Sequence, residues 1–307
     1  MSTNTTHEIT PSPRPSTLAI WVMASRPKTL GAAFAPVLMG AAMAYAAGGL
    51  HWPSALCALL GSILIQIGTN FANDYFDFKK GTDTAERVGP TRVTQAGYVS
   101  PQTMKWATIL VFALVWLPGA YILYRGGFPL LIVGILSIAL GVLYTGGPYP
   151  LGYLGLGDIF VLIFFGPVAV GGTYYIQTHT LPMDVLMGGL APGFISVGLL
   201  TINNLRDIDG DRRAGKKSLA VRFGAEFARF EYVASMTIAC FVIPVYFSFA
   251  TPNQLWAVFA ILAMLAAKKP IMIVLKEKDP RALNAALART GIGLPLYALG
   301  FTICAVT

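Results

Sequence analysis

Long apolar blocks constrain this chain more than any other feature. Residues 104–124, 128–143, 184–202 and 232–250 each approach the roughly 20 residues a helix needs to cross a bilayer. Similar blocks recur along all 307 residues, and only 12 % of the chain is charged against 55 % hydrophobic. A soluble domain carries about a quarter charged residues. No stretch is left for a soluble catalytic domain, so any chemistry must sit at helix ends or between helices. The pattern predicts an all-α transmembrane nine-helix bundle, with spans near 30–48, 53–72, 104–124, 128–145, 157–177, 184–204, 231–250, 254–275 and 291–307.

Charge orients those spans. With the N-terminus in the cytoplasm, every basic residue except Arg125 falls on the inner side, as the positive-inside rule requires, and the C-terminus lies outside. The net charge of +8 is then accounted for by topology and anionic membrane lipid, and no nucleic acid partner is needed. Residues 1–17 are polar and rich in Thr, Ser and Pro, which reads as a disordered tail and not a secretory signal, ahead of a single domain over 18–307. Cys57, Cys240 and Cys304 are isolated, without the spacing of a zinc site or disulfide framework.

The carboxylates are less easily explained. Six of the 14 acidic residues gather in two segments, NFANDYFDFKKGTD (Asn70 to Asp83) and NNLRDIDGDRRAGKKSLAVRFG (Asn203 to Gly224), at the inner ends of the second and sixth spans. On a helix Asn70, Asp74 and Asp77 share a face, as do Asn203, Asp207 and Asp211. Acids one turn apart at a membrane boundary repel one another and lose solvation unless a cation lies between them. Asp158, Asp184 and Glu231, by contrast, read as single helix-end charges in the headgroup layer. Because the clusters close the second and sixth spans, the chain reads as two four-helix halves plus a ninth helix, with a site between the halves opening to the cytosol.

Oxygen ligands without His or Cys suit a hard cation, and Mg²⁺ commonly completes its shell with substrate phosphates. The interleaved Arg and Lys supply charge-assisted donors to such phosphates. A diphosphate head at the interface with a hydrocarbon tail among the helices, as in a polyprenyl diphosphate, has the matching shape.

At NDYFD (Asn73 to Asp77) and the DxxxD of Asp207 and Asp211, the sequence resembles the UbiA-type intramembrane prenyltransferases, from Arg26 to the last helix. RPKTL (Arg26 to Leu30), KGTD with RVGPTR (Lys80 to Arg92), YTGGPYPLGYLGLGD (Tyr144 to Asp158) and the second acidic segment are similar to the branch acting on 1,4-dihydroxy-2-naphthoate. The third acid of the first motif falls at Asp83, because position 81 is Gly. The resemblance implies transfer of a polyprenyl group from polyprenyl diphosphate to that arene, with loss of diphosphate and CO₂, giving demethylmenaquinone in a bacterial cytoplasmic membrane. It implies Mg²⁺ held by Asp74, Asp77, Asp207 and Asp211 with Asn70, Asn73 and Asn203. Lys80, Arg206, Arg212 and Lys216 would take up diphosphate charge, and Arg26, Lys28 and Tyr144 would hold the acceptor.

An electron-rich arene that loses CO₂ in place of a proton needs no strong base, in keeping with His7, His51 and His179 all lying away from both motifs. The Gly- and Pro-rich segment 144–158 reads equally as a tight inner turn or as a wall of the acceptor pocket. Other readings stand beside this one: another acceptor such as 4-hydroxybenzoate or homogentisate, a phytyl donor, a cation-coupled secondary transporter, or a lipid-binding scaffold. No obligate protein partner is implied.

Overall fold

The computed structural model describes residues 14–81, 89 and 91–307, whose regular secondary structure is helix, with no strand among them. Of the tail expected over 1–17, only its last four residues are described. Ser16 caps α1 (Thr17–Ser25), a short helix not expected from the sequence. Asp83 lies outside the described residues.

Eight helical stretches are long and apolar enough to cross a membrane. They are α2 (Pro27–Ala46), α3 (Trp52–Lys80), the pair α4 (Pro101–Leu114) and α5 (Trp116–Leu143), α7 (Gly157–Thr178), α8 (Met183–Arg206), α11 (Ala225–Ala250), α12 (Leu255–Lys276) and α13 (Leu283–Val306). Short helices α6 (Leu151–Leu154), α9 (Ile208–Arg213) and α10 (Leu219–Phe223) lie between them. The protein is thus an all-helical, multi-pass membrane protein. The expected third and fourth spans are joined in one stretch of 43 residues. A straight helix of that length would run about 65 Å, twice the apolar thickness of a bilayer. The chain breaks instead at Gly127, whose φ of 71° and ψ of −165° suit glycine alone.

Two boundaries bear on function. The second span runs on to Lys80, so the first acidic motif is helical, and the last span begins at Leu283, earlier than expected. The last span packs along α2, so the bundle closes on itself. Close approach of small residues holds α7 to α8: a Cβ added at Gly193 would meet Leu162 O at 2.6 Å and Gly166 Cα at 3.1 Å. Without a hydrophobic driving force between lipid-bathed helices, such contacts and interhelical hydrogen bonds hold the bundle together. Tyr297 donates to Ala239 O at 2.7 Å, and the hydroxyls of Tyr232 and Thr290 also lie 2.7 Å apart. A separate small core of Ile20, Ala24, Phe71, Val93, Val99 and Met104 docks α1 and the 91–99 segment on α3 and α4.

Candidate active site

Helix α3 stops just beyond its acidic motif because Gly81 takes the left-handed C-cap conformation (φ 66°), with Lys79 and Lys80 in the last turn where a helix dipole favours cations. Helix α8 ends one residue before Asp207, and α9 carries Asp209 and Asp211. These two helix ends face one cavity of about 910 Å³. Asn73, Asp77, Asn203, Asp207 and Asp211 line it, together with Arg26, Lys28, Tyr144, Arg206 and Lys216.

Four expected site residues are placed differently. Asn70 is buried off the cavity wall, its amide nitrogen donating to Ser25 O at 2.9 Å and Thr29 Oγ1 at 3.0 Å, so it ties α3 to the α1–α2 junction. The buried carboxylate of Asp74 accepts the backbone N–H groups of Val93 and Thr94, each at 3.2 Å, and fastens the 91–99 segment. Lys80 is off the cavity lining and donates to Thr145 O at 2.6 Å. Arg212 is off the cavity lining and pairs at 3.4 Å with the exposed Asp209, which lines the cavity as does Arg213.

The cavity aspartates are each paired with a base. Arg92 Nη2 donates to Asp77 Oδ2 at 2.7 Å. Arg206, itself buried, forks onto Asp207 through Nε at 2.8 Å and Nη2 at 2.7 Å, and its Nη1 reaches Asn284 Oδ1 at 3.0 Å. Lys216 Nζ lies 3.1 Å from Asp211 Oδ1. Burial disfavours the charged Lys216, but the carboxylates of Asp211 and Asp77 outweigh it and raise the ammonium's pKa. Burial, and then the charges of Asp158, Asp211 and Asp77, push the Tyr144 phenol well above its ordinary range, so it stays a neutral hydrogen-bond donor.

No three His, Cys, Asp or Glu side chains among the described residues form a group able to hold a metal alone. The donor set itself, carboxylates and side-chain amides at one cavity, fits a hard divalent cation whose remaining ligands come from a phosphate. The base on each aspartate marks the same chemistry: a cation could replace it at the carboxylate, and a phosphate could receive it.

A second, apolar cavity of about 260 Å³ lies among the spans, lined by residues such as Pro36, Ile65, Ile122, Leu130, Phe160 and Phe164. Tyr144 lines both cavities. Sequence spacing missed Arg92, Tyr153, Arg213 and Asn284 as site residues. Arg92 and Tyr153 sit inside quoted motifs, whereas Asn284 precedes the expected start of the last span and carried no signal.

A polar, charge-paired chamber at helix ends and an apolar one among the spans, sharing a wall, define a membrane-embedded enzyme for a ligand that is anionic at one end and oily at the other. The match of residues 33–292 to the UbiA prenyltransferase family shows that the chain belongs to that family. Over 289 residues it is 39 % identical to the 1,4-dihydroxy-2-naphthoate octaprenyltransferase of Escherichia coli K12, covering 92 % of this chain and 94 % of the relative. The Haemophilus influenzae protein of the same name is 38 % identical, with 89 % and 91 % covered. The solved UbiA homologue from Archaeoglobus fulgidus bound to GPP and Mg²⁺ superposes with a TM-score of 0.67 at 17 % identity, covering 94 % of this chain and 99 % of that one.

Proposed function

We propose that this protein transfers a polyprenyl group from polyprenyl diphosphate to 1,4-dihydroxy-2-naphthoate, releasing diphosphate and CO₂ and forming the hydroquinone of demethylmenaquinone. The observation that carries the reading is the meeting of both acidic helix ends in one cavity that shares Tyr144 with an apolar one. The high identity to relatives named for this acceptor supports its choice over 4-hydroxybenzoate or homogentisate.

In this reading Mg²⁺ is held by Asp77, Asp207 and Asp211 with Asn73 and Asn203, and when bound it supplies positive charge to the diphosphate oxygens as the allylic C–O bond breaks. Arg206, Arg213 and Lys216 take up charge on the departing diphosphate, joined by Arg92 once a cation replaces it at Asp77. Asn70 and Asp74 act by fixing the elements around them. The prenyl chain lies in the apolar cavity, where each buried CH₂ contributes about 0.8 kcal/mol. Arg26, the N-cap of α2 in a left-handed conformation (φ 51°), and Lys28 hold the acceptor carboxylate, with Tyr144 donating to an acceptor oxygen. The carboxylate leaves as CO₂, its bonding electrons return to the ring, and no protein base is required.

We read the break at Gly127 as separating two crossings within the 43-residue stretch, for nine spans in one domain over 18–307; the non-helical glycine supports this reading. The basic loops place the polar cavity and the N-terminus on the cytosolic side of a bacterial cytoplasmic membrane and the C-terminus outside. The test is product mass spectrometry on purified protein in lipid, with Mg²⁺, donors of several lengths and each arene. Prenylated dihydroxynaphthoate is expected. Prenylation of hydroxybenzoate alone would overturn the acceptor, and no transfer by wild type while Mg²⁺ and pyrophosphate leave its melting unchanged would overturn the enzyme reading.

A further inference from the structure

Tyr153, on α6, joins both halves of the polar cavity, although neither acidic motif contains it. Its ring centroid lies 4.5 Å from Lys80 Nζ and 5.1 Å from Lys216 Nζ. Its hydroxyl is 3.5 Å from Asp77 Oδ1. The surrounding backbone is fastened: Lys217 N donates to Tyr153 O at 2.9 Å, and Arg222 bridges Lys217 O at 2.9 Å and Leu154 O at 2.7 Å. Gly155 completes the fastening, since a Cβ there would stand 2.5 Å from Lys217 O at a φ of 74°.

Two ammonium groups beside one ring repel each other, and each is attracted by the ring's π-face. The arrangement is asymmetric. Lys80 is anchored to Thr145 O and lies off the cavity lining, whereas Tyr153 and Lys216 are on it. Lys80 therefore fixes the ring, and the ring fixes Lys216 and Asp77. Without it, Lys216 would keep its contact with Asp211, at 3.1 Å, and the attraction of the Asp77 charge, with no ring to set its position between them.

We infer that Tyr153 is a positioning residue for the donor diphosphate: its ring sets Lys216, from the second acidic segment, relative to Asp77, from the first, and Lys80 acts through that ring and not on the diphosphate directly. The inference rests on the function proposed above and adds a residue and an order of action to it.

The test compares Tyr153→Leu, Tyr153→Phe, Lys80→Met and the Tyr153→Leu/Lys80→Met double variant with wild type, all purified in lipid with Mg²⁺. The readouts are KM for donor, KM for dihydroxynaphthoate and inhibition by inorganic pyrophosphate. Tyr153→Leu should raise donor KM and the pyrophosphate inhibition constant roughly tenfold, the loss of two cation–π contacts. Acceptor KM should stay within about twofold. Tyr153→Phe, which keeps the ring, should restore donor KM to within about threefold of wild type. Contacting residues on one path are not additive, so the double variant should be no worse than Tyr153→Leu alone. Unchanged donor KM in Tyr153→Leu, equal damage from Tyr153→Phe, a rise confined to acceptor KM, or additive loss in the double variant would each overturn the inference while wild-type transfer left the proposed function standing. A variant that did not fold as Tyr153→Leu would leave Lys80→Met and Tyr153→Phe to decide: an unchanged donor KM in Lys80→Met would overturn it. Absence of transfer by the wild type would remove both claims.

Discussion

Arg92 and Asp77 form a buried ion pair, 2.7 Å from Nη2 to Oδ2, with side chains 8 % and 5 % exposed. The pair joins the end of α3 to the 91–99 segment. Removing one partner of a buried pair leaves an uncompensated charge, at a cost of roughly 3–5 kcal/mol. Arg92→Met should therefore lower the melting temperature in detergent. Mg²⁺ with pyrophosphate should recover more stability in this variant than in wild type, because a cation again faces Asp77. A melting shift no larger than that of wild type would refute the metal assignment of Asp77.

Asp74 and Asp77 lie on one helix but should fail in different ways. Asp74→Ala removes the acceptor of two backbone N–H groups, so amide hydrogen exchange over 91–99 should speed up along with a loss of transfer. Asp77→Ala should instead abolish transfer by more than about a hundredfold, consistent with loss of several kcal/mol of transition-state stabilisation, and its residual rate should need more Mg²⁺. Exchange rates and Mg²⁺ titrations on the two variants separate the roles.

Adjacent arginines give a sharp contrast. Arg213 lines the cavity and Arg212 makes only an exposed pair with Asp209, a type worth about 0–1 kcal/mol. Arg213→Ala should raise donor KM at least about fivefold, the loss of one charge-assisted contact to phosphate. Arg212→Ala should stay within about twofold, in line with that weak pair. Steady-state kinetics with varied donor reads the difference.

Packing between α7 and α8 has no slack at Gly193. Gly193→Ala places a methyl against the Leu162 carbonyl and should cost about 1–3 kcal/mol, as overpacking does. Thermal unfolding in detergent measures it, and a shift within error would show that the two helices separate more readily than their contact implies.

Much of this was legible because it is written locally. Apolar block length located the long helical stretches, though not the joining of the expected third and fourth or the early start of the last, and the i, i+4 spacing of Asp207 and Asp211 found side chains that do face the cavity. The same spacing put Asn70, Asp74 and Asp77 on one strip, yet only Asp77 reaches the chamber. What divides them is nonlocal: Ser25 and Thr29 claim Asn70, and the amides of Val93 and Thr94 claim Asp74. Arg212 and Arg213 are equivalent by composition, and the orientation of a six-residue helix separates them. Tyr153 gave no signal of its own, because its importance comes from three segments that meet only on folding.

Tyr144 borders the wet chamber on one side and the oily one on the other. In the proposed function the donor is held by both ends before reaction; afterwards the prenylated quinol has lost its anionic anchor, and only the transferred prenyl chain is retained. Turnover should then end by sideways escape into the surrounding lipid phase, while the freed inorganic product departs through water, so the two products never compete for the same exit.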